Sequence, residues 1–168
     1  GNKNKDKKKE LQTEQKQENK EFPQTLNGKT TDEKKAAIQR YRDAQIAQNK
    51  VFQQAMHDKQ IAELKAKLAK NTSLTENQKK EILDAREKQY EKNMAHGNQR
   101  RSENAAFFQT LSSDPKMTEA QKREAIRAHF QSQKPGNQAF RQQQKSENKA
   151  EREKIRSESS SSANAVAS

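Results

Sequence analysis

The amino-acid sequence repeats a phrase that is typical of a helix start. "LTENQKKEI" begins at Leu74, and a close variant, "MTEAQKREAI", begins at Met117. In each copy a threonine can accept a hydrogen bond from the amide three residues later, where a glutamine can bond back to the threonine amide. The helix-capping pairs predicted in this way are Thr75 with Gln78, Thr118 with Gln121 and, in "TTDEKKAAI", Thr30 with Glu33. Three helix starts are therefore expected, at 30, 75 and 118.

Large apolar side chains are too few for a thick globular core. Hydrophobic residues make up 27% of the chain and charged residues 35%, which lies near the boundary with intrinsic disorder. Runs of β-branched residues are absent, so strands are not expected. The composition and the caps together predict an all-α fold, an elongated antiparallel helical hairpin or bundle of three or four helices with disordered ends.

The pattern along the chain predicts three regions. They are a disordered polar tether at 1–29, a helical repeat domain at 30–158 and a flexible serine-rich tail at 159–168. Within the repeat domain, chain reversals are expected near 72–75 and 112–118. Pro135-Gly136 predicts a further break in the helix that starts at Thr118.

Residues for catalysis or metal binding are not apparent. The chain has no cysteine, and none of its three histidines has a second histidine or a carboxylate four residues on. No glycine-rich phosphate loop or serine nucleophile elbow is present. The sequence thus predicts a non-enzymatic protein without catalytic residues, metal or cofactor. No apolar run of about twenty residues occurs, so a transmembrane segment is not expected.

The net charge of +12 favours anionic partners. Arg100-Arg101, Lys79-Lys80 and the lysines at 7–9 could neutralise phosphates. One interpretation is therefore a basic scaffold that binds nucleic acid or an anionic surface polymer. No sequence-reading DNA-binding motif accompanies these residues.

The helix-start phrase also resembles a known family. Leu74-Thr75-x-x-Gln78 and Met117-Thr118-x-x-Gln121 are similar to the LTxxQ motif of Spy and CpxP, all-helical periplasmic chaperones and stress proteins. The resemblance implies an ATP-independent holdase or envelope-stress protein that forms a homodimer. It also implies the bacterial periplasm or cell surface. The polar start "GNKNKDKKKE" is of the kind that follows the lipid-bearing cysteine of a lipoprotein.

A second resemblance leads to a different partner. Residues 104–132 are similar in layout to the three-helix immunoglobulin-binding modules of staphylococcal surface proteins. That similarity implies a surface module that binds a host protein.

Protein partners would contact the apolar stripes of the helices. The residues predicted to bind client, host or envelope proteins are the aromatic side chains Tyr41, Phe52, Tyr90, Phe107 and Phe108, framed by Arg100 and Arg101. The alternative is that these aromatic residues form the core of the bundle.

Overall fold

A computed structural model describes the backbone of residues 2–167 and the side chains of residues 3–158. This part of the chain forms four helices and no strand. The helices are α1 (Asn2–Thr25), α2 (Thr31–Ala69), α3 (Glu76–Ser112) and α4 (Glu119–Ala167). The prediction of an all-α fold is confirmed. Among the described residues, no helix has an apolar stretch long enough to cross a membrane.

Helices α2, α3 and α4 begin beside the three predicted caps. Thr75 Oγ1 accepts from the amide of Gln78 at 3.1 Å, and Gln78 Oε1 accepts from the amide of Thr75 at 2.8 Å. The same pair of bonds joins Thr118 and Gln121 at 3.2 and 2.9 Å. Thr30 Oγ1 accepts from the amide of Glu33 at 3.2 Å. Local sequence therefore determines where these helices start.

The first 29 residues differ from the prediction, because a helix stands where a disordered tether was expected. Helix α1 covers Asn2–Thr25 and is followed by a short turn in which Gly28 has a φ of +79°. Lysine, glutamate and glutamine, which dominate α1, are good helix formers. Hydrogen bonds to α2, described below, supply stabilisation that the low apolar content did not suggest.

Helix α4 also differs from the prediction, because it continues through Pro135 without the expected break. Proline costs the helix one backbone hydrogen bond. Contacts with α3 on both sides of Pro135 hold the helix in place, as the clusters described below show. The backbone of α4 extends to Ala167, and the side chains of the predicted flexible tail, 159–168, lie outside the described residues.

The chain divides into two compact units, residues 1–63 and 64–168. In the first unit α1 and α2 form an antiparallel hairpin. Gln15 bonds to Asn49, and Asn19, farther along α1, bonds to Tyr41, which comes earlier in α2. In the second unit α3 and α4 form another antiparallel hairpin by the same criterion. We call them the first and second hairpins.

Each helix carries one copy of a motif that accounts for this pairing. The motif has leucine, tyrosine or histidine first, glutamine or arginine four residues later, asparagine after four more and phenylalanine after a further three. Its copies occupy 11–22, 41–52, 96–107 and 129–140. We call it the pairing motif. Its period matches successive positions on one helix face.

In the first hairpin, the second half of each motif lies against the first half of the other. Asn19 Oδ1 accepts from Tyr41 Oη and from Gln45 Nε2, both at 2.6 Å, and Phe22 stacks on Tyr41 with ring centroids 4.0 Å apart. At the other end, Asn49 Oδ1 accepts from Gln15 Nε2 at 2.7 Å. We call these groups the Asn19 cluster and the Asn49 cluster.

The second hairpin repeats the arrangement with histidine in place of tyrosine. In the Asn104 cluster, Asn104 Oδ1 accepts from His129 Nε2 and Gln133 Nε2, both at 2.8 Å, and Phe107 stacks on His129 at 4.0 Å. Because an amide oxygen carries no hydrogen, the histidine nitrogen is the donor.

The Asn137 cluster completes the set. Asn137 Oδ1 accepts from His96 Nε2 at 3.1 Å and from Arg100 Nε at 2.9 Å, and Phe140 stacks on His96 at 3.9 Å. Arg100 stands where the other copies have glutamine. The residue opposite it is Gly136, where a Cβ would lie 2.5 Å from Arg100 Nη2. The missing side chain thus makes room for the larger donor.

Apolar burial in these hairpins is thin. No described side chain is fully buried, and the hydrophobic residues with the least exposure are Leu68, Leu111 and Ile155. Gln78 is more buried than any of them, at 3% exposure, and its Nε2 donates to the carbonyl of Ile155 at 3.1 Å. Polar contacts between helices therefore supplement a small apolar core.

Candidate functional site: an aromatic corner

The largest group of aromatic rings in the described part of the chain lies where α3 turns into α4. It consists of Phe107, Phe108, His129 and Phe130, and we call it the aromatic corner. The rings form a closed chain of contacts: besides the Phe107–His129 stack, centroid distances are 5.7 Å for Phe107–Phe108, 6.2 Å for Phe108–Phe130 and 5.7 Å for His129–Phe130.

Helix periodicity places two rings from each helix at this corner. Phe107 and Phe108 are adjacent near the end of α3, and His129 and Phe130 are adjacent in α4. The antiparallel register brings the pairs together. Leu111, one turn beyond Phe107 and Phe108, is buried. The corner thus has an apolar base on the α3 side.

The two halves of the corner differ in exposure. Phe107 and His129 are half-buried and belong to the Asn104 cluster. Phe130 remains 44% exposed, and half-buried Phe108 lies beside it. Phenylalanine is enriched in interfaces with other proteins. Phe108 and Phe130 therefore form the side of the corner that a partner could reach.

The other aromatic residues predicted to bind partners lie elsewhere. Tyr41 donates to Asn19 and stacks on Phe22, so it serves the first hairpin. Burial raises its pKa above the ordinary value of 10.0, with a further contribution from nearby Glu18. Phe52, in the first hairpin, and Tyr90, on α3, are each half-buried. The structure does not bring these three side chains to the aromatic corner.

The two predicted arginines bind within their own hairpin. Arg100 bonds to Asn137 and also pairs with Glu103, Nη1 to Oε2, at 2.8 Å. The hydrogen bond from Arg100 lowers the pKa of the Glu103 carboxyl. Arg101 donates to Asn98 on the same helix. The guanidinium of Arg100 thus contributes mainly to the pairing of α3 with α4.

A polar groove of about 640 Å³ lies farther along the second hairpin. Lys92 Nζ crosses it to Glu147 Oε2 at 2.6 Å, and this hydrogen bond lowers the pKa of the Glu147 carboxyl. Glu81 has the opposite shift, because hydrogen bonding to Glu158 raises its pKa. The remaining ionic side chains of the groove are Asp84, Lys88, Glu151 and Lys154. Mixed charges of this kind give the groove no single sign.

The described residues contain no group of three or more histidine, cysteine, aspartate or glutamate side chains that could hold a metal ion. His96 and His129 each donate from Nε2 to an asparagine and stack on a phenylalanine. Their surroundings are those of helix-pairing residues.

Sequence reasoning missed several residues of these sites. His129 and Phe130 were not among the predicted binding residues, although they complete the aromatic corner. The four asparagines of the pairing motif were missed as well. Their signal was present, because Phe22, Phe52, Phe107 and Phe140 each follow an asparagine by three residues.

No protein-family model matches this chain, and no curated protein or solved structure matches it either. The similarity to Spy and CpxP rests on the LTxxQ-like phrases alone.

Proposed function

We propose that the protein is a non-enzymatic, chaperone-like binding protein that holds apolar segments of other proteins at the aromatic corner. The observation that carries this proposal is the 44% exposure of Phe130 beside Phe108 in a cluster of four rings. A ring left this exposed stays in contact with water unless a partner covers it.

The chemistry of the corner suits partners of varied sequence. Aromatic faces pack against aliphatic and aromatic side chains without requiring a particular hydrogen bond. Phe107 and His129, held by the Asn104 cluster, keep the rings in place before binding. A preorganised apolar surface loses less entropy when it binds. Weak, broad binding to unfolded segments is the expected result.

The proposal is tested by suppression of aggregation. Chemically denatured citrate synthase is diluted into equimolar protein at low and at physiological salt, and light scattering is followed. The wild-type chain should reduce scattering, and Phe108→Ala with Phe130→Ala should remove most of that effect. Val51→Ala is the matched control, because Val51 is 72% exposed but lies on α2. Full aggregation with the wild-type chain, or equal suppression by the double variant, would refute the proposal.

Binding to nucleic acid or an anionic polymer is a second candidate, favoured by one observation. The lysines of the first turns of α1, at 3, 5 and 7–9, are all exposed. A fluorescence-anisotropy titration with single-stranded DNA over a salt series separates the two functions. Counterion release predicts affinity that falls steeply with salt, whereas apolar binding persists. Absence of DNA binding at low salt would eliminate this candidate.

A further inference from the structure

The pairing motif is complementary to itself when two copies run antiparallel. In the second hairpin each copy supplies a histidine and a donor to one cluster, and an asparagine and a phenylalanine to the other. The two clusters are thus related by an approximate two-fold axis across the hairpin. Self-complementarity of this kind is what a two-fold interface between identical chains requires.

Helix α1 is an incomplete partner for α2. In the Asn49 cluster Leu11 occupies the position of the aromatic residue, so only Gln15 of the motif reaches Asn49. Among the described residues of α1, 3–25, none is buried. The first hairpin therefore has one cluster with an aromatic stack and a second cluster without an aromatic donor.

A second copy of α2 would be a more complete partner. In an antiparallel pair of α2 helices, Tyr41 of each chain faces Phe52 of the other, and Gln45 faces Asn49. Both clusters then have the composition of the Asn19 cluster, in which tyrosine and glutamine donate to one asparagine.

We propose that α1 and the α2 helix of a second copy compete for the same face of α2. The chain then self-associates through an antiparallel α2–α2 pair when α1 is released. This inference is independent of the function proposed for the aromatic corner. An α3–α3 pair is disfavoured, because the guanidinium of Arg100 fits against Gly136, whereas the same position of another α3 carries Glu103, whose side chain would occupy that space.

The experiment uses the full-length chain and size-exclusion chromatography with light scattering over a range of concentrations. Gln15→Ala with Asn19→Ala and Phe22→Ala removes the contribution of α1 to both clusters and leaves α2 intact, and we call this variant the α1-weakened chain. The mass should rise from 19.3 kDa towards twice that value. Adding Asn49→Ala and Phe52→Ala should return it to the monomer. Gln12→Ala with Lys16→Ala is the matched control, because both side chains lie on the exposed face of α1.

The geometry of the proposed pair can be tested by crosslinking, because residues 1–168 contain no cysteine. In the proposed register, residue 46 of each chain lies level with the axis on one flank of the pair, about 100° round the helix from Gln45. Ile46→Cys in the α1-weakened chain should therefore be crosslinked between chains by a short bis-maleimide. Val51→Cys is the control, since Val51 is 72% exposed and lies away from the axis of the pair, so it should not crosslink to itself.

A further variant tests the competition without weakening the hairpin. Leu11→Tyr completes the Asn49 cluster and should reduce any dimer that the wild-type chain forms at high concentration. The proposal is overturned if the α1-weakened chain stays at 19.3 kDa with its helical circular dichroism retained. It is also overturned if the dimer survives Asn49→Ala with Phe52→Ala. If the α1-weakened chain unfolds, Leu11→Tyr decides, and unchanged self-association of the wild-type chain with this substitution overturns the proposal.

Discussion

The first and second hairpins use one pairing motif but fix it to different extents. In the second hairpin both clusters contain a stacked histidine, Gln133 is buried, and Gln78 ties the start of α3 to Ile155. In the first hairpin, Leu11 leaves the Asn49 cluster without an aromatic donor. The same motif can therefore build a fixed helix pair or an exchangeable one, depending on a few substitutions around its asparagine.

The largest difference in stability is expected when one cluster asparagine is replaced in each hairpin, Asn104 in the second and Asn49 in the first. Asn104→Ala leaves His129 without its acceptor and leaves the buried Gln133 only Glu103 Oε2 at 3.4 Å, which should cost about 2 kcal/mol of local stability. Asn49→Ala should cost about 1 kcal/mol, because Gln15 keeps its contact with Gln48 at 3.3 Å. Amide hydrogen exchange measures each hairpin separately. Exposed Asn93→Ala is the control, and equal losses for both variants would contradict the comparison.

A smaller change should make the first hairpin resemble the second. Leu11→Tyr introduces a ring opposite Phe52 and a hydroxyl within reach of Asn49, and the added aromatic pair is worth about 1 kcal/mol. Protection of the α1 amides from exchange should rise, while protection of α3 and α4 should not. The same substitution in a chain that already carries Asn49→Ala and Phe52→Ala should have no stabilising effect. A gain there would show that tyrosine acts through something other than the cluster.

The Arg100–Gly136 contact should show coupling between the two positions. Gly136→Ala alone gains about 1 kcal/mol of helix propensity but displaces the guanidinium from Asn137, so its net effect should be close to zero. Arg100→Gln restores the donor found in the other motif copies. Together the two substitutions should be more stable than the sum of the single variants by about 0.5 kcal/mol. A double-mutant cycle in urea unfolding tests this, and strict additivity would argue against the fit.

The smallest expected effect is a dependence on alkaline pH in the first hairpin. The pKa of Tyr41 is raised in the folded chain, so Tyr41 contributes stability below its ordinary pKa of 10.0. That contribution is lost as the pH rises through the folded-state pKa, when the hydroxyl can no longer donate to Asn19. Exchange protection of α1 should therefore fall at high pH, after correction for the intrinsic rate. Tyr41→Phe should remove this dependence, and an unchanged dependence would assign it to another group.

Local features of the fold could be read from the sequence, and features that join distant residues were harder to read. The caps at Thr75 and Thr118 were predictable because each one depends on four consecutive residues. Helix α1 was wrongly predicted to be disordered, because the prediction rested on the small number of apolar residues in 1–29. The bonds that hold it come from Gln15 and Asn19, which such a count ignores.

The continuity of α4 could not be predicted from Pro135 alone. The Asn104 and Asn137 clusters flank the proline on either side, and both depend on α3. Of the aromatic corner, Phe107 and Phe108 were predicted from their apolar character. His129 and Phe130 become part of it only through the antiparallel register, which the pairing motif sets and the helix caps do not.

Gln78 has a consequence for the order of events during synthesis. Its Oε1 belongs to the cap of α3 and is available as soon as Thr75 and Gln78 have left the ribosome. Its Nε2 waits for Ile155, which lies 77 residues farther along the chain. At bacterial and eukaryotic elongation rates that interval lasts about 4 to 15 s. Helix α3 can therefore start early, while the end of the hairpin farthest from its turn is the last part to close.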